Sequence, residues 1–109
     1  MAKPTLIQVF GANATQNATD IILKKADLVA VGLSPSPTNS AESLFVAIAL
    51  NAKLNLSTAN RNTNPDQSVA IEDGFAQIAS RGTTQYYQSS FTLTAQKINT
   101  TAAIDPDDY

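Results

Sequence analysis

Apolar residues fall into short runs separated by stretches of Asn, Thr, Ser and Pro, and the length and period of each run predict what it becomes. Residues 5–10 alternate loosely and are rich in β-formers before Gly11 stops them, which predicts an N-terminal strand or arm over residues 1–10. The stretch 12–19 is too polar to bury and reads as a loop. Residues 20–25 and 27–33 are two apolar runs of strand length, and Val29, Val31 and Leu33 fall on one face, so a pair of strands is expected. A helical turn around 24–27 is the alternative.

Pro35 and Pro37 then interrupt all regular structure, because each fixes φ and removes an amide donor. Behind them Asn39, with Glu42 three residues later, is a near-variant of the capping box, and residues 41–53 are mostly good helix formers. The expected main helix carries Leu44, Phe45, Val46, Ala47, Ile48, Ala49 and Leu50, which cover more than one stripe of a helical wheel. Either the monomer core surrounds it, or a sheet covers one side and a second subunit another. Leu44, Phe45 and Ile48 are therefore candidates for core and interface alike, and truncating a buried Phe45 to Ala would cost about 3–5 kcal/mol.

The second half reads as sheet. Residues 60–66 are loop-forming; 68–72 alternate; Asp73-Gly74 signals a turn; 75–79 resume apolar content; and Arg81-Gly82 turns the chain again. A meander follows, with a long last strand that directs Tyr87, Phe91, Leu93 and Ala95 inward and the intervening Ser, Thr and Gln outward. Tyr87 is then core and Tyr86 a contact residue. Residues 99–109 hold too few apolar groups to pack and predict a flexible acidic tail, whose Asp105, Asp107, Asp108 and Tyr109 are further contact candidates. Taken together, residues 1–109 predict a single α+β domain: a small antiparallel meander packed on one main helix, with extended terminal arms.

Composition narrows the function classes. Ser, Thr, Asn and Gln account for 37 of 109 residues and charged residues for only 15%, so the surface is polar but sparsely charged. Free monomers generally rely on interspersed charge to stay apart, and a chain without it suits permanent neighbours. There is no Cys and no His, which removes disulfides, thiolate metal sites and the usual general base. Glu72-Asp73 reads as a solvated turn, and no Gly-x-Ser-x-Gly elbow, phosphate-cradling glycine loop or calcium-loop spacing occurs. We therefore expect no enzyme activity, no cofactor and no small-molecule substrate. The formal charge of −2 is concentrated in the last five residues, and the single basic pair, Lys24-Lys25, lacks aromatic neighbours for base stacking, so nucleic acid is not an expected partner. The first six residues lack the apolar core of a secretion signal, and the longest apolar run, 44–50, is far too short for a bilayer, so no membrane association is expected.

Residues 6–16, the Ala41-Glu42-Ser43-Leu44 helix start and the closing Ile104-Asp105-Pro106-Asp107-Asp108-Tyr109 resemble small proteins of cyanobacteria and their tailed phages. The resemblance implies a virion structural protein, above all a capsid cement (decoration) protein. Such a protein is made in the host cytoplasm and sits on the capsid exterior as a homotrimer bound to the major capsid protein. A tail-tube, tail-terminator or neck component shares the same features, and so does a non-viral binding or scaffold module. Long heptads, which a tape-measure or fibre protein would need, are missing.

Overall fold

The computed structural model describes residues 2–98 and 103–109 of the chain. It is an α+β protein in which one long helix and two short ones form a body and a two-stranded ribbon leaves that body. The N-terminal segment is helical, not a strand: α1 (Leu6–Phe10) is closed by a reciprocal capping box between Thr5 and Gln8, which outweighs the β-propensity of Ile7, Val9 and Phe10. Nor are residues 2–10 a detached arm. The helix packs against the main helix, Asn55 donates its side-chain amide to the Gln8 carbonyl, and Lys3 donates to the Asp66 carbonyl and the Ser68 hydroxyl.

In the expected loop, 12–19, β1 (Thr15–Gln16) forms and pairs with β2 (Ile21–Ile22), which falls within the expected strand 20–25, and Asn17 closes the turn by accepting from the Thr19 and Asp20 amides. The expected second strand, 27–33, is instead a 3-10 helix, Lys25–Val31, ended by Gly32 in the left-handed region at φ 106°. Helical winding buries Leu28 and leaves Val29 exposed, so the alternation Val29-Val31-Leu33 does not form a face. Asp27 in its first turn accepts from the Asn13 backbone and side-chain amides and ties this helix to the N-terminal loop.

The main helix, α2 (Ala41–Asn55), forms where its propensities place it, with one difference at its start. Ser40 is the cap and accepts from the Ser43 amide, while Asn39 accepts from Ser36 and donates to the Ser34 carbonyl, holding the proline loop in place. Leu28, Leu33 and Ala47 form the core cluster, with Val31, Leu44 and Ile48 packed on it half-buried. A further helix, α3 (Thr58–Thr63), occupies part of the expected loop because Ser57 caps it through the Asn60 amide.

The remaining strands are β3 (Val69–Asp73), β4 (Gln77–Arg81), β5 (Thr84–Gln88) and β6 (Phe91–Ala95). They do not run as a meander from one turn to the next. β3 pairs with β6, and β4 with β5, so the two pairs are nested and share one reversal, at Gly82 with φ 61°. Asp73-Gly74 is not a hairpin turn; the Gly74 amide donates to the Ser90 carbonyl across the ribbon and carries the pairing outward. The root is held firmly. The Ile71 amide donates to the Leu56 carbonyl, Arg61 donates to the Thr94 hydroxyl, buried Gln67 donates to the Ser57 and Val69 carbonyls, and Lys53 pairs with Asp73 at 2.7 Å. Beyond the root none of the described residues covers the strands: every residue of β5 is exposed, and Ala79 alone of β4 is half-buried. The projection raises the radius of gyration to 16.2 Å, against about 13 Å for a compact chain of this size.

Candidate interaction surface

Two features define the surface: what the body buries and what the ribbon displays. Among the described residues the buried apolar side chains are Ala14, Leu28, Leu33, Ala47, Ala52, Ala70 and Ile71, four of them alanines. Most of the large apolar residues in a chain that is 43% hydrophobic therefore face outward, at least in part. That display exceeds the scattered single exposures normal for a soluble monomer.

The ribbon carries most of it. Phe75, in the connection from β3 to β4, is 94% exposed; Ile78 and Tyr87 are cross-strand partners on one face, and Leu93 lies exposed nearer the root. Tyr86 sits on the other face, where the Arg81 guanidinium lies 4.4 Å from its ring centroid. Tyr87, expected in the core, is thus 74% exposed, and Phe91 and Leu93 likewise do not form a buried face. The reason is tertiary. The last strand pairs with a partner inside its own hairpin, and α2 reaches only its root, where Lys53 lies 4.9 Å from the Phe91 ring. Tyr86, at 41%, is the less exposed of the two tyrosines, so both are candidates for contact.

The main helix contributes a second patch. Leu44 and Ile48 face the core, but Phe45 is 74% exposed and Val46 is exposed beside it, because the adjoining 3-10 helix covers one side of α2 only. Below Val46 a shallow groove of about 310 Å³ runs between the N-terminal half of α2 and the end of the 3-10 helix. Val31, Leu33, Val46, Ala47 and Leu50 line it, and Glu42 is its one charged residue.

The C-terminal candidates are drawn back onto the body. Residues 99–102 of the expected tail lie outside the described residues. Asp105 caps a 3-10 turn, Pro106–Asp108, by accepting from the Asp107 amide; Asp108 pairs with Lys97 at 2.7 Å; and Tyr109 is half-buried in a pocket with Pro4, Val9, Leu56 and Val69. Asp107 remains exposed. Phe75, Ile78 and Tyr87 are the exposed apolar residues that sequence reasoning did not single out for contact, and only the interruption of strand alternation at Gly74 hinted at an outward stretch.

Among the described residues no cluster of three or more acidic side chains is close enough to hold a metal ion, and no helix is long and apolar enough to cross a membrane. The chain matches no family profile, no curated protein and no solved structure.

Proposed function

We propose that this protein is a structural subunit of a tailed-phage particle, first of all a capsid cement protein that stabilises the major capsid protein lattice from outside. The observation that carries this reading is the inversion of burial: among the described residues four of the seven buried apolar side chains are alanines, while Phe45, Phe75, Ile78, Tyr87 and Leu93 stand in solvent. Such a display is costly to a free molecule and useful to an assembled one, since contact with a partner removes the same area from water. Sparse charge supports the same reading, because it leaves little repulsion between neighbours.

A second reading, a tail-tube, tail-terminator or neck component, is favoured by the projecting ribbon, a shape suited to linking successive subunits of a ring. Copy number in purified particles of the phage encoding the chain distinguishes the two. Abundance approaching that of the capsid protein is the expected result for cement, and a single ring's complement is the result for a neck or terminator. Absence from particles overturns both in favour of a non-viral scaffold module.

A further inference from the structure

We propose that β6 pairs edge to edge with β6 of a second copy, antiparallel about a two-fold axis at Leu93. The proposal goes beyond the particle reading above and rests on the hydrogen-bond pattern at the ribbon root. In an antiparallel ladder, residues that bond the partner strand alternate with residues whose amide and carbonyl point away from it. The Gly74 amide donates to the Ser90 carbonyl, the Gln96 amide donates to the Ser68 carbonyl, and the Ile71 amide leaves the pair for the Leu56 carbonyl. That phase makes Val69–Ala95, Ile71–Leu93 and Asp73–Phe91 the pairs without mutual bonds. The amides and carbonyls of Phe91, Leu93 and Ala95 therefore face the outer edge of β6, where none of the described residues bonds them.

The two edges of the ribbon are not alike. On the β3 side Leu56 takes up one outward amide, and residues 69–81 carry Glu72, Asp73 and Arg81. On the β6 side residues 83–96 contain no charged residue and no proline, the devices that ordinarily keep an open edge from pairing. The strand is also presented ready-made. Arg61 donates to the Thr94 hydroxyl and Gln96 is tied to Ser68, so little order is lost when a further strand is added.

Self-complementarity selects the occupant. With Leu93 on the axis, every outward residue of β6 meets an outward residue of the second copy, and each such pair exchanges two main-chain hydrogen bonds. Phe91 then lies opposite Ala95, a large side chain against a small one; Thr92 lies opposite Thr94; and Leu93 lies opposite its own symmetry mate. Any other register that opposes outward residues leaves Phe91 or Ala95 without a partner inside β6. The same neighbours cover Phe91 and Leu93, which are 42% and 63% exposed in the single chain. Two two-stranded sheets become one of four strands, which is the more stable unit. The product is a two-fold dimer, not the homotrimer that the resemblance to cement proteins implies.

Sedimentation equilibrium of the full chain should show monomers in exchange with dimers, and a monomer at every concentration, or a trimer, overturns the proposal. Leu93→Lys and Leu93→Glu each set like charges face to face on the axis, and each should weaken the dimer about tenfold. Leu93 is exposed in the single chain, so both variants should keep the parent circular dichroism. Mixed together they should associate again as a heterodimer, and failure of the mixture to recover overturns the pairing. The absence of native cysteine allows a second readout that does not depend on those variants folding. Bonded antiparallel partners have Cα atoms ~5.5 Å apart, within disulfide reach, so Leu93→Cys should oxidise to a covalent dimer. Ile78→Cys is the control, since Ile78 is equally exposed but lies on β4, and no excess of crosslink over this control also overturns the proposal. All these measurements use the isolated chain, so they stand apart from copy number in particles: a chain abundant in particles but monomeric alone removes the β6 pairing only, and a dimer absent from particles removes the virion reading only.

Discussion

At the scale of single residues, exposure reverses the ranking that side-chain size suggests. Phe45 is the largest side chain of the main helix, yet 74% of it is in solvent, so Phe45→Ala should change unfolding free energy by no more than about 0.5 kcal/mol in urea titrations. Leu28, at 3% exposure in the core cluster, should cost about 2–5 kcal/mol on truncation to Ala. If the two variants lose equal stability, the core is misplaced. Gly11 is a second sensitive position. Its φ of 119° is hostile to any side chain, and a Cβ there would lie 2.5 Å from the Cβ of Asp27, the residue that binds Asn13. Gly11→Ala should therefore destabilise by about 1–3 kcal/mol, measured as a shift in the denaturation midpoint without a change in slope.

At the scale of elements, the ribbon tip and the C-terminal segment make opposite predictions. Strands β4 and β5 pair with each other and are exposed along almost their whole length, so replacing residues 75–89 with an Asn-Gly turn should leave the body folded with its circular dichroism and thermal midpoint nearly unchanged. The same replacement should weaken any self-association that the exposed Ile78 and Tyr87 support. Removing residues 105–109 takes away the Lys97–Asp108 pair and the half-buried Tyr109, and should lower stability by about 1 kcal/mol, or about 4–8 °C in Tm. An unchanged Tm would show that the tail is not seated on the body. Most of that loss belongs to Tyr109, since an ion pair with this much solvent exposure contributes little.

At the scale of the whole molecule, stability and assembly are coupled. A body in which, among the described residues, four of the seven buried apolar side chains are alanine leaves much of the available apolar driving force unrealised until neighbours cover it. Calorimetry over a hundredfold range of protein concentration should then show Tm rising with concentration, because association binds the folded state alone. A Tm independent of concentration, with sedimentation showing monomer at the highest concentration, would mean that copies of this chain do not cover one another's apolar surface.

What the sequence by itself determined is local. The proline break, the main helix behind it, the strand content after residue 68 and the lack of His and Cys all follow from side-chain identity within a few residues. The α+β class followed from those. Where two local preferences competed, a short-range hydrogen bond decided: the Thr5–Gln8 capping box turned a β-rich run into α1, and Ser57 turned a loop into α3. Only the tertiary structure decided which apolar residues are buried. Alternation along residues 84–95 marks two faces of a strand but not which face meets a helix, or whether either does. That depended on β5 and β6 pairing back within one hairpin, which carries Tyr87 and Ile78 beyond the reach of α2. Likewise, the all-round apolar surface of α2 could not say which side the 3-10 helix would take; that helix and the residue after its Gly32 cap set Leu28 and Leu33 against Ala47, and Phe45 was left to the solvent. Pairing register and helix docking are contacts between residues far apart in the chain, and no local pattern encodes them.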